Sequence, residues 1–282
     1  MPNEPSESSA ALRTASLCGS SSHVIGGVST IAEGRAAIAL SQGGAKKRYP
    51  HTDPNEDAAG FALGEPGALL VVADGHSGRE AAEVAVGELL RRAVALFSDS
   101  AEVTRAQWAT TALEMFAAVH AAILARVASG GRDTARTTLA MALVRPDDDL
   151  LAFASAGDSH IFRVGPSEVV DLACHSERRG RYLGNPAADL GSLRDDCVIG
   201  TESLPGVRAV ALATDGISES GIGVDLPEFT IGECADVAEK AKPDLRPLEF
   251  ARSVTEAALA AHRSHRSGDN IATAVTWLPQ VE

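Results

Sequence analysis

Ala68-Leu69-Leu70-Val71-Val72-Ala73-Asp74-Gly75-His76 is the stretch whose reading decides the fold. Six apolar residues in succession, without alternation, describe a strand covered on both faces, and the run stops at the turn dipeptide Asp74-Gly75. Residues 79–97 and 104–129 follow, rich in Ala, Leu and Val, and are predicted as two long helices with Asp99, Ser100 and Thr104 supplying turn and cap chemistry between them. Helices this apolar cover a sheet. Beyond Gly130-Gly131 the pattern turns to β. Residues 137–144, 150–156, 160–164 and 168–172 read as a meander of strands, with Pro146-Asp147-Asp148-Asp149 as a hairpin turn. Residues 208–213 form another buried strand, ending in Asp215-Gly216, and a helix over 247–262 leads through Ser267-Gly268-Asp269-Asn270 to a closing strand, 271–277.

Upstream of the opening stretch, residues 24–30, 36–40 and 61–63 read as short strands around a polar loop, 41–55, that carries Lys46, Lys47, Arg48, His51 and Asp53. Residues 1–22 have no periodic apolar face and are expected to be a flexible tail, leaving one domain over 23–282. Residues 173–204 are irregular and polar, a candidate flap over a site. Strands in hairpins with helices inserted as pairs predict an α+β fold of layered antiparallel sheets with helices outside.

Of the 282 residues, 38 are acidic and 25 basic, a formal charge of -13 that repels nucleic-acid backbones and anionic membranes. Nucleic acid and membrane are therefore excluded as expected partners, and no stretch is read as approaching the roughly 18 apolar residues a bilayer span needs. Cys18, Cys174, Cys197 and Cys234 form no CxxC pair, so the chain is expected to be soluble and cytoplasmic with free thiols, and a monomer by default. Aromatics make up only 4%, so small aliphatic side chains fill the core and bring its elements close together.

Four segments set an aspartate at or beside a strand end: Asn55-Glu56-Asp57, Asp74-Gly75-His76, Asp215-Gly216 and Gly268-Asp269-Asn270. A single Asp-Gly is more often a turn than a ligand. Four strand-end aspartates in one chain, two of them in Asp-Gly turns after buried apolar strands, shift the reading towards a shared oxygen-ligand site for hard cations such as Mg²⁺ or Mn²⁺. A glycine beside an aspartate lets the backbone approach closely enough for its carbonyl to ligate as well.

Val71-Val72-Ala73-Asp74-Gly75-His76-Ser77-Gly78, Arg136-Thr137-Thr138-Leu139-Ala140, Ser155-Ala156-Gly157-Asp158-Ser159, Leu212-Ala213-Thr214-Asp215-Gly216 and Gly268-Asp269-Asn270-Ile271 resemble, in order and spacing, the motifs of the type 2C metal-dependent Ser/Thr protein phosphatases, the PPM family. The resemblance implies a four-layer αββα sandwich of two antiparallel sheets flanked by helix pairs, with two divalent cations in a cleft at one end. It implies that Asp74 bridges the cations with the Gly75 carbonyl on one of them, and that Asp215 and Asp269 hold the other. Asp57 stands near the same centre, and Glu56 holds a water. Asp133, five residues before Thr138, stands where the family places an aspartate for a third cation. Asp158 reads as a turn between strands. The expected reaction is hydrolysis of phosphoserine or phosphothreonine in a phosphorylated protein by a water that two cations acidify, with His76 as general acid for the departing alkoxide.

Three departures bear on substrate. The family's phosphate-gripping arginine falls at Thr52, which leaves Arg48, Lys47 or His51 to supply positive charge without a bidentate fork. His160 follows Ser159 where the family reads arginine, and residues 174–204 keep only His175-Ser176 of the acidic-histidine motif, followed by Arg178-Arg179-Gly180-Arg181. Two alternatives stay open on these grounds: a catalytically weak relative that binds phosphorylated partners, and a hydrolase of small phosphate esters.

Overall fold

The computed structural model describes residues 12–97, 103–129, 134–173, 182–187, 191, 194–195 and 197–279. Two six-stranded sheets stack face to face. The first runs in the order β1 (Arg13–Cys18), β4 (Ala58–Gly64), β5 (Gly67–Ala73), β8 (Leu139–Arg145), β9 (Leu150–Ala156) and β12 (Val198–Glu202). The second runs β11 (Val169–Asp171), β10 (His160–Val164), β13 (Ala209–Ala213), β14 (Ile271–Trp277), β3 (Ala36–Ser41) and β2 (Ser29–Glu33). A short ladder joins β6 (Gly75–His76) to β7 (Arg136–Thr137), and all pairings are antiparallel.

Helices α1 (Glu80–Leu96) and α2 (Trp108–Ala128) cover the first sheet, while α3 (Pro227–Glu239) and α4 (Arg246–His265) cover the second, giving the αββα order of layers. The unbroken apolar run of β5 follows from this. Leu69, Val71 and Ala73 point into the helix layer, and Ala68, Leu70 and Val72 point between the sheets. Small residues set the spacing. A Cβ at Gly60 would stand 2.8 Å from Val86 and 2.9 Å from Leu90, so its absence lets α1 settle close onto β4.

Four expectations need correction. Arg13–Cys18 is not tail but an edge strand, paired with β4 from Arg13↔Leu63 to Cys18↔Ala58 and tucking Ala15 and Leu17 against the inter-sheet core. The stretch 173–204 contains β12, hydrogen-bonded to β9, while residues 174–181, 188–190, 192–193 and 196 lie outside the described residues. Helix α3 was not read from the sequence, because its apolar side chains split: Phe229 and Val237 are exposed while Ile231, Cys234, Ala235 and Ala238 are buried, which blurs the helical period. Finally, α2 is long and apolar enough to cross a membrane by length and composition. It lies over the first sheet, burying Trp108, Ala112, Met115, Phe116, Val119 and Ile123 in the core between helix and sheet.

Candidate metal centre

The antiparallel order brings four strand ends to one edge of the sandwich. His160 at the start of β10 pairs with Ala213 at the end of β13, and Ala213 pairs in turn with Thr273 near the start of β14. Asp158, Asp215 and Asp269 therefore emerge from neighbouring turns, and Asp74 joins them from the end of β5 in the facing sheet. The nearest carboxylate oxygens of Asp74, Asp158 and Asp215 lie within 4.8 Å of one another.

Hydrogen bonds fix each turn. The Asp74 carbonyl accepts from the Thr138 amide at 2.9 Å and from Thr137 Oγ1 at 2.7 Å, and the Asp74 amide donates to Thr138 Oγ1 at 3.1 Å. Thr138 Oγ1 also lies 2.9 Å from Ser159 Oγ, which ties the Asp158 turn to the Asp74 clamp. Thr214 Oγ1 donates to Asp57 Oδ2 at 2.7 Å while accepting from the Ala272 amide at 2.9 Å. Gly216 can be nothing larger, since a Cβ there would sit 1.8 Å from the Asn270 carbonyl oxygen.

The loop before β4 is fastened the same way. Asn270 Oδ1 accepts from the Glu56 amide at 2.8 Å, and its Nδ2 donates to the Gln42 and Pro54 carbonyls at 3.1 Å each. Glu56 is buried, and its Oε1 accepts the Thr52 and Asp53 amides at 2.9 Å each.

The electrostatics suit the cluster to a cation. Burial first, and then the neighbouring carboxylates, push Asp74 and Asp215 well above the usual carboxylate range; for Asp215 the leading neighbour is Asp269, for Asp74 it is Asp215. Asp57, 1% exposed, is pushed up to about 7 by burial and then by Asp269. Carboxylates this crowded repel one another when ionised, and a divalent cation at their centre reverses the sign of that interaction. The cluster offers only carboxylate oxygens, the donors that Mg²⁺ and Mn²⁺ prefer.

A cleft of about 600 Å³ opens over the cluster, lined by Asp74, Gly75, Asp158, Asp215 and Asp269 on its floor and by Lys47, Tyr49, His51, His76 and Tyr182 around it. Asp269 Oδ1 is held by the Asn270 amide at 2.7 Å, by Tyr49 Oη and by Lys47 Nζ at 3.4 Å. His76 Nδ1 faces Asp74 Oδ2 at 3.8 Å, and burial, followed by the Arg136 charge, lowers its pKa.

The sequence-derived residues thus fall into groups. Asp74, Gly75, Asp215, Asp269, Glu56 and His76 share the cleft, whereas Asp57 lies beneath the floor, bound to Thr214. Arg48 is exposed and does not line the cleft, while its neighbour Lys47 does. Asp133 lies outside the described residues.

Residues 45–261 match the family model of protein phosphatase 2C. The chain belongs to that family. Membership makes this 2C phosphatase a metal-dependent hydrolase of phosphoserine and phosphothreonine in proteins. No curated protein matches its sequence. Solved structures similar to it share its fold at low identity. The Mycobacterium tuberculosis serine/threonine phosphatase PstP is 21% identical at a TM-score of 0.61, with 87% of this chain and 99% of that one covered. Stp1 of Staphylococcus aureus is 15% identical at 0.64, over 88% and 96% of the two chains. A serine-threonine phosphatase 2C from Toxoplasma gondii is 16% identical at 0.63, over 91% and 100%.

Sequence reasoning passed over three residues of the phosphatase's cleft. Asp158 was read as a turn, although Gly157-Asp158 follows a buried apolar strand just as Asp74 and Asp215 do, and that shared pattern was the available signal. Tyr49 and Tyr182 carry no motif, and only the folded loops place them at the cleft.

Proposed function

We propose that the phosphatase holds two Mg²⁺ or Mn²⁺ ions between Asp74, Asp158, Asp215 and Asp269, with the Gly75 carbonyl as a further donor, and that His76 protonates the departing seryl or threonyl oxygen. One observation carries this reading: three carboxylates converge within 4.8 Å at the floor of a cleft that also holds an imidazole. When bound, the cations supply positive charge to the phosphoryl oxygens and acidify water.

The chain's own residues do the rest. Asp57 and Thr214 support the floor from below through their 2.7 Å bond. Glu56 pins the Thr52 and Asp53 amides, which fixes the loop that carries Lys47, Tyr49 and His51 to the edge of the cleft. Lys47 brings a cation to the cleft where the family's arginine is missing, though as a point charge rather than a fork. His76 is placed to give a proton to an alkoxide, which leaves poorly as an anion near neutral pH. Unpaired thiols at Cys18 and Cys234 support a reducing cytoplasmic setting, and a monomer is proposed as the working form.

The test is phosphate release from a phosphothreonine peptide with Mn²⁺ or Mg²⁺, comparing wild type with Asp74→Asn and Asp215→Asn. Release that needs the cation and falls by at least about 10²-fold in both variants supports the reading. Metal binding without release leaves a phosphopeptide-binding relative instead.

A further inference from the structure

Tyr182 is built into the cleft by backbone rather than by chance contact. Its neighbour Leu183 forms a reciprocal antiparallel bridge with Thr137, Leu183 N–H to the Thr137 carbonyl at 2.8 Å and Thr137 N–H to the Leu183 carbonyl at 3.0 Å. Gly184, at φ +86°, donates its amide to His120 Nδ1 at 3.2 Å, and a Cβ there would stand 2.5 Å from Ile123. Thr137 is also the residue whose hydroxyl clamps the Asp74 carbonyl. One two-residue strand therefore positions both Asp74 and the tyrosine.

From that anchor the Tyr182 ring reaches over His76. The ring centroids are 4.4 Å apart, the Arg136 guanidinium caps the phenol face at 4.7 Å, and Tyr182 Oη lies 3.1 Å from His76 Nε2. His76 Nδ1, by contrast, is buried with no hydrogen-bond partner among the described residues, and it faces the cleft floor, 3.8 Å from Asp74 Oδ2. A phenol hydroxyl accepts from Nε2–H in the imidazolium, and again in the neutral ring that remains once Nδ1 has given up its proton. In either state Nε2 is engaged, and Nδ1 is the nitrogen left to exchange a proton.

We propose that Tyr182 is a positioning residue that orients His76 so that Nδ1 delivers the proton to the leaving oxygen. The inference rests on His76 being the general acid. In the step it serves, a water oxygen bonds to phosphorus, the electron pair of the breaking P–O bond goes to the seryl or threonyl oxygen, and that oxygen takes the Nδ1 proton, leaving a neutral imidazole. Burial pushes the Tyr182 phenol up to about 12, so it stays protonated throughout the working pH range.

The consequence is selectivity by leaving group. An alkoxide needs the proton, whereas p-nitrophenolate is a stable anion near neutral pH and leaves unaided. Tyr182→Phe keeps the ring, its packing and the Arg136 contact, and removes only the hydroxyl. With saturating Mn²⁺, it is expected to lower kcat on a phosphothreonine peptide by at least about tenfold, a fraction of the roughly 10²–10⁴ that a positioned acid contributes. On p-nitrophenyl phosphate kcat should stay within about twofold of wild type, with Mn²⁺ affinity unchanged. Equal losses on both substrates, or an unchanged peptide rate, overturn the proposal. His76→Gln, run in parallel, separates the two levels. A peptide-selective loss in His76→Gln that Tyr182→Phe does not share defeats only the positioning role, and no such loss in His76→Gln defeats the acid assignment and the inference together.

Discussion

His160 Nε2 stands 2.6 Å from Ser218 Oγ, while Nδ1 of the same ring lies 2.7 Å from Asp171 Oδ2. Serine, histidine and aspartate in this order have the spacing of a nucleophile and its base. The surroundings argue for another role. The Ser218 and Glu219 amides are both spent on the Asp215 carbonyl, so the turn offers neither of them to a developing oxyanion. Asp171 Oδ1 is occupied by the Ile161 and Ala173 amides. The three side chains instead join β10 and β11 to the turn that carries Asp215. His160→Ala is accordingly expected to lower stability by about 1–3 kcal/mol, because Asp171 and Ser218 lose their shared partner. Mn²⁺ affinity should weaken several-fold as the Asp215 turn loosens. Thermal melting and Mn²⁺ titration check both, and an unchanged Mn²⁺ affinity would show that the brace does not reach the metal site.

Asp158 and Asp215 should behave alike if both ligate, and unlike any ordinary core substitution. Each places charge in a crowded cluster, so replacement by the isosteric amide relieves repulsion in the metal-free protein. Without metal at pH 8, Asp215→Asn is expected to melt above wild type by a few degrees, as about 1 kcal/mol moves the midpoint of a domain this size by roughly 2–4 °C. With Mn²⁺ the order reverses, because the variant has lost a ligand. Asp158→Asn should show the same crossover. A variant that melts below wild type in both conditions would place Asp158 back among the turn residues.

The elements read correctly from the sequence are those whose local pattern and tertiary setting agree. β5, β9, β13 and β14 are mainly apolar and buried along their whole length because both faces are covered, and α1 spans nearly the interval its composition indicates. β1 escaped because an edge strand buries little: its residues from Arg13 to Cys18 are exposed or half-exposed, and its partner β4 lies some forty residues away in the chain. The aspartates were legible as strand-end turns, but strand order decides which turns meet. Asp57, just before β4, was grouped with Asp74, at the end of β5, yet it sits beneath the floor, while Asp158 comes within reach of Asp74 and Asp215 through the β10–β13 pairing. Arg48, Lys47 and His51 were left open as the source of positive charge; Lys47 and His51 line the cleft and Arg48 does not, a choice made by loop conformation that the sequence does not reveal.

The pH dependence of the metal-free protein follows from Asp57. Its folded-state pKa of about 7 lies above the roughly 4 of an unfolded aspartate, so the fold favours the protonated form. The associated stability is present below pH 4 and is lost as pH rises through 7. Asp57→Asn removes the titration while keeping an oxygen to accept from Thr214. The melting temperature of the variant relative to wild type should therefore climb between pH 5 and pH 8 in the presence of a chelator. Mn²⁺, which binds the ionised cluster, should flatten the climb. A difference that stays constant across that range without metal would mean that Asp57 does not titrate there.

His262 carries the opposite sign. Fully buried in the last turn of α4, it accepts the Gly44 amide at Nδ1, 3.1 Å away, and donates from Nε2 to the Gly216 carbonyl at 2.7 Å. That pattern requires the neutral ring, and burial lowers its pKa despite the favourable Gly216 carbonyl. A histidine whose pKa is depressed on folding contributes stability above its unfolded value of about 6.5, and this is lost as pH falls below it. Protonation puts a second hydrogen at Nδ1, facing the Gly44 amide, so the loop leading to Lys47 is released first. His262→Gln can still accept and donate but does not titrate. Wild type should lose melting temperature between pH 7 and pH 5 more steeply than this variant, although the variant is less stable at pH 7 by about 1–3 kcal/mol. Parallel slopes for the two proteins would remove His262 as the source of acid sensitivity and leave the linkage between Gly44 and Gly216 as packing alone.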